Sequence, residues 1–493
     1  MQDFTFPTLA ETFFLIPMTI LSIFACIPIS IKVLRNNKEP SNVLTLIIAL
    51  AGIVLSAAAL IFVGPSLGAV YGGALIFDGM ATYANMAVFA ITALTLFLSE
   101  SGVNTRGASF AEHTFLILLS AVGMITLTSS NDLIVSFVGL EIMSIALYVL
   151  IGLGHEQLYS KEAAFKYFIL GSFASAIFLF GIALIFGATG ATTISTLGLQ
   201  GMILESRNGL LILGLILLLV GIGFKVSLFP FHAWTPDVYQ GAPTSVSAFM
   251  ATGVKVVMFT LFLRLAMTHL FMSDPKIISI LQVIAVLTMT IGNITAIVQE
   301  NMKRLVAYSS IAHAGYILVG IIAAATSKTP EAASATLFYI VGYSVMNIGA
   351  FAIINVFEKE ERGNLSIMDY AGLGYKYPLM GVGLAVFMFS LAGIPPTVGF
   401  MGKFYIFASA IKEGYLGLAI IGVINSLISA YYYLKVLVAL YMNDPVFDVK
   451  PMAGKTSSFV VLVTLILTLV MGIFSASFYT PALKGVTQLL ALH

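Results

Sequence analysis

Runs of about 20 apolar residues, separated by short polar stretches, recur along the whole chain, and each is long enough to cross a bilayer core as a helix. Sliding that length along the sequence predicts spans over 12–34, 41–63, 75–98, 112–128, 132–153, 162–188, 209–235 and 242–269. A second group covers 277–299, 303–323, 332–357, 378–411, 415–442 and 457–479. These fourteen helices, with no strands, predict an all-α polytopic membrane protein. The longest linkers, 188–208 and 358–376, leave no room for a soluble domain, so 1–493 reads as a single membrane domain. No Lys or Arg precedes Lys32, so the first span is expected to stay as a helix and not to be removed as a signal.

Two predicted spans contain breaks. Span seven carries Lys225-Val-Ser-Leu-Phe-Pro230-Phe-His232, and span twelve carries Ser390-Leu-Ala-Gly-Ile-Pro395-Pro396. Proline removes a backbone donor and frees carbonyls that lipid cannot satisfy, so such breaks face protein or a hydrated cavity. They fall five helices apart and therefore run in opposite directions across the membrane. That is the expectation for two inverted five-helix repeats, helices 4–8 over 112–269 and helices 9–13 over 277–442. A three-helix segment over 12–98 would precede them and a C-terminal helix over 457–479 would follow. Two unrelated proline kinks are the plainer alternative.

Composition sharpens this picture. The 493 residues are 59% hydrophobic and 9% charged, against roughly 25% charged in soluble domains. A cytosolic enzyme, a secreted domain and a disordered scaffold are excluded. So is a nucleic-acid binder, because 23 Lys and Arg balance 22 Asp and Glu without a dense basic run. The single cysteine, Cys26, excludes a disulfide framework, a thiolate zinc site and an iron–sulfur cluster. Gly454-Lys455-Thr456 fails as a phosphate loop, since Val449 stands where the first glycine belongs. No redox centre is expected in the chain.

Loop charge sets an expected orientation. With the N-terminus outside, inner loops hold the twelve residues Lys32, Arg35, Lys38, Arg106, Lys161, Lys303, Arg304, Lys359, Arg362, Lys376, Lys450 and Lys455. Outer loops hold five: Arg207, Lys276, Lys328, Lys412 and Lys484. Both termini are therefore expected on the outer face.

The candidate chemistry lies in charges too deep to reach an interface. Glu141 is nine residues into span five, roughly 14 Å deep at about 1.5 Å per residue. Lys225 precedes the break of span seven, Lys255 lies thirteen residues into span eight, and Lys403 follows the break of span twelve. A charge at the centre of a membrane helix costs roughly 2.5–3.5 kcal/mol, so such groups mark ion or proton pathways. Packing salt bridges are the competing account, most seriously for Glu141 with Lys225. One acid cannot neutralise three amines, however. Burial disfavours a charged lysine and a nearby carboxylate restores it, so a lysine that gains and loses such a partner is a switchable proton site. His313, ten residues into span ten, and His232, at the break of span seven, are candidate relays. Lys166, Arg264 and Lys435 lie near helix ends, where snorkelling accounts for them, with Lys166 also a candidate for the way in from the cytoplasm. Asp78 reads as structural.

Several stretches resemble a known family. They are Gly139-Leu-Glu141-Ile-Met-Ser, Glu162-Ala-Ala-Phe-Lys166-Tyr, Gly223-Phe-Lys225 through Pro243, Asn301-Met-Lys-Arg through His313, and Ser390-Leu-Ala-Gly-Ile-Pro-Pro through Lys403. From about helix three to helix thirteen the chain is similar to the antiporter-like membrane subunits of respiratory complex I, bacterial NADH–quinone oxidoreductase. The resemblance implies fourteen helices with helices 7 and 12 broken, and proton translocation through Glu141, Lys225, Lys255 and Lys403. It implies no cofactor in this chain; NADH, FMN, iron–sulfur clusters and quinone belong to partner subunits. Neighbours similar to subunits M, K and J are expected, in the lipid bilayer of a bacterial inner membrane. M-type members typically carry glutamate where Lys403 stands, which argues against that branch. Subunits of multisubunit sodium/proton antiporters share these positions and remain the alternative.

Overall fold

A computed structural model describes residues 8–65, 68–100, 102, 108–153, 158–197, 209–268, 270–273, 275–327, 329–358, 366–445 and 454–492. Arg106, Arg207, Lys328, Lys359, Arg362, Val449 and Lys450 lie outside these residues. Thirteen helices among the described residues are long and apolar enough to cross a membrane. The first eight are α1 Phe13–Leu34, α2 Asn42–Val63, α3 Gly79–Ser99, α4 Phe110–Thr128, α5 Leu133–Gly152, α6 Leu158–Thr189, α7 Gly209–Val226 and, after the half-helix α8 Trp234–Gly241, α9 Thr244–Met267. Then come α10 Pro275–Ile297, α11 Met302–Thr326 and α12 Glu331–Phe357. Span twelve is divided into α13 Pro378–Ala392 and α14 Val398–Lys412, followed by α15 Leu416–Met442 and α16 Lys455–Ile473. The fold is all-α, with fourteen crossings when the divided span is counted once, and a two-stranded ribbon (β1 Ala69–Val70, β2 Leu75–Ile76) on one loop.

Each five-helix repeat has its break in its fourth crossing, α7–α8 in the first and α13–α14 in the second. Five crossings separate them, so they traverse the membrane in opposite directions.

Several helix ends differ from the hydropathy reading, among them span three, which starts at Gly79 because Leu75–Ile76 form β2. Span seven does not stop near 235 but continues through α8 to Gly241. The last crossing ends at Ile473, and a further helix, α17 Ser475–Leu492, follows it. In α17 apolar residues such as Ala482, Val486 and Leu489 are buried while Lys484, Thr487 and Gln488 are exposed. Averaging over a membrane-length window hides such an amphipathic helix.

Helix starts follow capping chemistry. Ser41, Ser109 and Asn301 cap α2, α4 and α11 by accepting backbone N–H bonds. Asp132 caps α5 through Oδ1, 2.8 Å from Ile134 N. Near the N-terminus, backbone N–H groups of Thr8 and Tyr71 bind Glu11 and hold its carboxyl below the usual carboxylate range.

Close helix pairs rest on glycine. A Cβ on Gly123 would fall 2.8 Å from the Gly139 carbonyl oxygen, and one on Gly181 would fall 2.7 Å from Leu218 N. These contacts let α4 meet α5 and α6 meet α7 backbone to backbone. At the centre, α9, α11 and α12 are almost wholly enclosed by protein, whereas most residues of α1 and α2 are not buried. The enclosed helices carry Lys255 and His313.

Candidate functional site

Lys225 occupies the last turn of α7, just before the break. Glu141, Ser144 and Tyr148 lie at i, i+3 and i+7 on α5 and so share a face of that helix. Lys225 Nζ donates to Ser144 Oγ at 2.7 Å and Tyr148 Oη at 3.3 Å. It also lies 5.4 Å from the Tyr148 ring centre and 5.3 Å from that of Tyr167, within cation–π range. Glu141 and Lys225 form no ion pair, and Glu141 Oε1 is buried without a hydrogen-bond partner. The salt bridge weighed from the sequence is therefore not what holds the amine; hydroxyl groups do. Trp234 Nε1 donates to Phe224 O at 3.0 Å, satisfying a carbonyl near the break. The break itself passes through Ser227 at φ 65° and closes with Ser227 Oγ 2.6 Å from Thr235 Oγ1.

Lys255 follows a π-helical turn, Met250–Val254, a wider winding often found at functional sites. Its Nζ donates to the Ser310 carbonyl and, at 2.6 Å, to Ser310 Oγ on α11. Tyr343 Oη donates to the same Ser310 Oγ at 2.8 Å and accepts from Asn347 Nδ2 at 2.7 Å. One helical turn beyond Ser310 sits His313, its ring centre 5.1 Å from that of Tyr343. Tyr339 Oη is 2.6 Å from Nδ1 and Tyr433 Oη 3.2 Å from Nε2.

Lys403 is built into the second break. Its Nζ donates to Leu391 O and Ala392 O, each at 3.0 Å, and to Ser426 Oγ at 2.8 Å. The two carbonyls end α13, where the helix dipole and unpaired acceptors attract a cation. Gly393, at φ 91°, makes the turn, and a Cβ there would come within 3.1 Å of the Lys403 side chain. Tyr316 places its ring 4.9 Å from Lys403 Nζ and meets His313 edge-on at 5.5 Å. Lys225, Lys255 and Lys403 are 2%, 1% and 5% exposed, so none snorkels. Each amine is thus held by hydroxyl or carbonyl oxygens and lies beside an aromatic ring.

The remaining predicted residues fall outside this line. Lys166 is half-exposed, bound to Glu162 at 2.8 Å and Asp237 at 3.2 Å, beside a cavity of about 200 Å³. Asp237 also pairs with Arg304 at 2.8 Å, so α6, α8 and α11 meet there. His232 packs on Phe229, and its buried Nδ1 has no hydrogen-bond partner. Lys435 reaches Gln299 O at 3.2 Å. Arg264 does not snorkel: it is 2% exposed and binds Asp78 through both Nη atoms, at 2.6 and 3.2 Å, with a further bond to Thr128 O at 3.3 Å. Its partner lies 186 positions away in the chain, so helix-end position alone could not reveal the pair. The hydroxyl ligands of the lysines escaped the sequence reading, although helical spacing from Glu141 and His313 marks Ser144, Tyr148, Ser309 and Ser310.

Fold and site together define a polytopic helical membrane protein with a line of amines and an imidazole through its core. Residues 130–429 match the family described as NADH:quinone oxidoreductase/Mrp antiporter, TM. The NADH-quinone oxidoreductase subunit N of Bdellovibrio bacteriovorus is 44% identical over 478 residues, covering 97% of this chain and 98% of that protein. That of Rhodospirillum rubrum is 37% identical over 457 residues, 91% of each. The chain belongs to this family. Among solved structures, a chain of respiratory complex I from Thermus thermophilus with bound Aureothin aligns with a TM-score of 0.81 at 32% identity, over 95% of this chain and 100% of that one. A chain of the Mrp complex from Dietzia sp. DQ12-45-1b reaches a TM-score of 0.82 at 19% identity, over 98% of this chain and 99% of that one, a likeness of fold alone.

Proposed function

We propose that the chain is a proton-translocating membrane subunit of a bacterial NADH:quinone oxidoreductase, of the N type, driven by electron transfer from NADH to quinone in other subunits. The observation that carries the reading is the succession of buried amines and hydroxyls across both repeats. Its relatives at 37–44% identity are NADH-quinone oxidoreductase subunits N. NADH, FMN, iron–sulfur clusters and quinone belong, in this reading, to the partner subunits. Neighbours of the M, K and J types flank the chain, and both termini face the outer side of the inner membrane.

Glu141 and Lys225 form the input. Water from the cytoplasmic side, with Lys166 at the mouth, delivers a proton to Lys225 while Glu141 stands near. Movement of Glu141 away makes the charged amine costlier, and the proton passes to Lys255. His313 relays it and Lys403 receives it, for release outward or to a neighbour. His232, at the hydrated break, is a second candidate relay. Moving a charge against 100 mV takes about 2.3 kcal/mol. A unit charge shifted to or from about 4 Å changes an interaction by about 4 kcal/mol at an effective dielectric of about 20, which is enough.

Inside-out vesicles carrying the complete assembly test the reading. Acidification of the lumen should follow NADH oxidation in the presence of quinone and persist when sodium is replaced by choline. Sodium-dependent proton exchange without any NADH requirement would establish the alternative antiporter.

A further inference from the structure

His313 differs from the lysines in having a phenol at each ring nitrogen. Tyr339 Oη lies 2.6 Å from Nδ1, and Tyr433 Oη lies 3.2 Å from Nε2 and 2.5 Å from Ser309 Oγ. Both tyrosines and the histidine are fully enclosed. The two phenols lead to different places. Tyr433 meets Ser309, the chain neighbour of the Ser310 that binds Lys255. The Tyr339 ring stacks on the imidazole at 5.9 Å and rests on Gly402, where a Cβ would fall 2.2 Å from it. Gly402 is the residue before Lys403.

A neutral imidazole has one N–H donor and one lone-pair acceptor, while an imidazolium has two donors. A full charge on this ring would sit buried beside two amines, which is costly in a low-dielectric core. We propose that Tyr433 and Tyr339 are the proton-exchanging partners that make His313 a neutral, two-tautomer relay between Lys255 and Lys403. The inference rests on the proton-row reading above.

In the ready state Tyr433 O–H donates to Nε2 and Nδ1–H donates to Tyr339 Oη. An N–H bond of the Lys255 ammonium breaks and its proton, carried through water, forms a new O–H bond on Tyr433 while the original phenol proton moves to Nε2. The Nδ1–H bond breaks as its proton forms a new O–H bond on Tyr339, and the original Tyr339 O–H bond breaks as its proton passes through water to the neutral Lys403 amine, forming a new N–H bond there. One proton enters and one leaves, the phenols end neutral, and the ring ends in the opposite tautomer. No step leaves an imidazolium as an intermediate.

Tyr339→Phe tests this, because the ring that packs on Gly402 and His313 is kept and the hydroxyl alone is lost. In vesicles holding the whole assembly, this chain's share of the protons moved per NADH should be lost, because transfer at a missing proton-transfer group slows by about 100-fold or more, and the solvent deuterium isotope effect on transport should change. Tyr433→Phe should behave alike. In a His313→Gln background, Tyr339→Phe should add no further loss, since the phenol acts through the ring. Wild-type ratios in both phenylalanine variants, or losses that multiply with that of His313→Gln, would overturn the relay. Lys225→Ala in the same vesicles reports on the underlying row: its loss of pumping beside fully active Tyr339→Phe and Tyr433→Phe leaves the row standing and removes the relay.

Discussion

Vesicles carrying the assembled complex with Lys225→Ala will oxidise NADH and reduce quinone while losing this chain's share of the protons moved, because transfer at a missing proton-transfer group slows by about 100-fold or more. The argument rests on where the amine sits. Lys225 Nζ is held by Ser144 Oγ and Tyr148 Oη and flanked by the rings of Tyr148 and Tyr167, with no carboxylate in contact. An amine needed only for packing would be expected to bind Glu141 directly, because a paired charge is far less costly than an unpaired one. Here Glu141 Oε1 lies buried and unbonded. Glu141→Ala should reproduce most of the loss, and the proton-to-NADH ratio, read with a pH dye inside the vesicles, measures both. Undiminished ratios in the two variants would reassign the pair to packing.

The second large effect is on stability. Asp78 caps α3 by accepting from Ala81 N at 2.6 Å and binds Arg264 through both carboxylate oxygens. The pair is almost wholly buried, and Thr128 O adds a third contact to the guanidinium. Asp78→Ala strands a buried charge, removes a helix cap and loosens the meeting of α3, α4 and α9. Breaking one partner of a buried pair costs about 3–5 kcal/mol, and a lost cap typically adds about 1 kcal/mol. The purified assembly should lose this subunit at a clearly lower temperature in a thermal-shift or native-gel series. Replacing both residues with apolar side chains of similar volume should recover part of the loss, because no unpaired charge then remains.

How far the sequence could be read depended on whether the physics was local. The crossings were legible because lipid demands a long apolar run at each. The two breaks were legible because Pro230 and Pro395-Pro396 cannot continue a helix. The deep charges stood out because their cost is a property of depth alone. What held each charge was another matter. Lys255 binds Ser310 across 55 positions and Lys403 binds Ser426 across 23, and serine is common enough in membrane helices to pass for a packing residue. Arg264 lies near a helix end, where sequence alone points to snorkelling; only the fold brings Asp78 to it. The C-terminal helix α17 was missed because its burial is one-sided. The tyrosines around His313 carry an apolar ring and one hydroxyl, so composition files them with the core until a neighbour gives the hydroxyl a partner.

In the proposed row Lys255 stands between Lys225 and His313, so its replacement tests the row most directly. The measurement is the number of protons delivered per NADH oxidised by vesicles containing the complete assembly with Lys255→Met, a substitution close in length without charge. Proton passage along the core requires that number to drop sharply while quinone reduction continues. An unchanged number, with the methionine in place and the assembly intact, would contradict it.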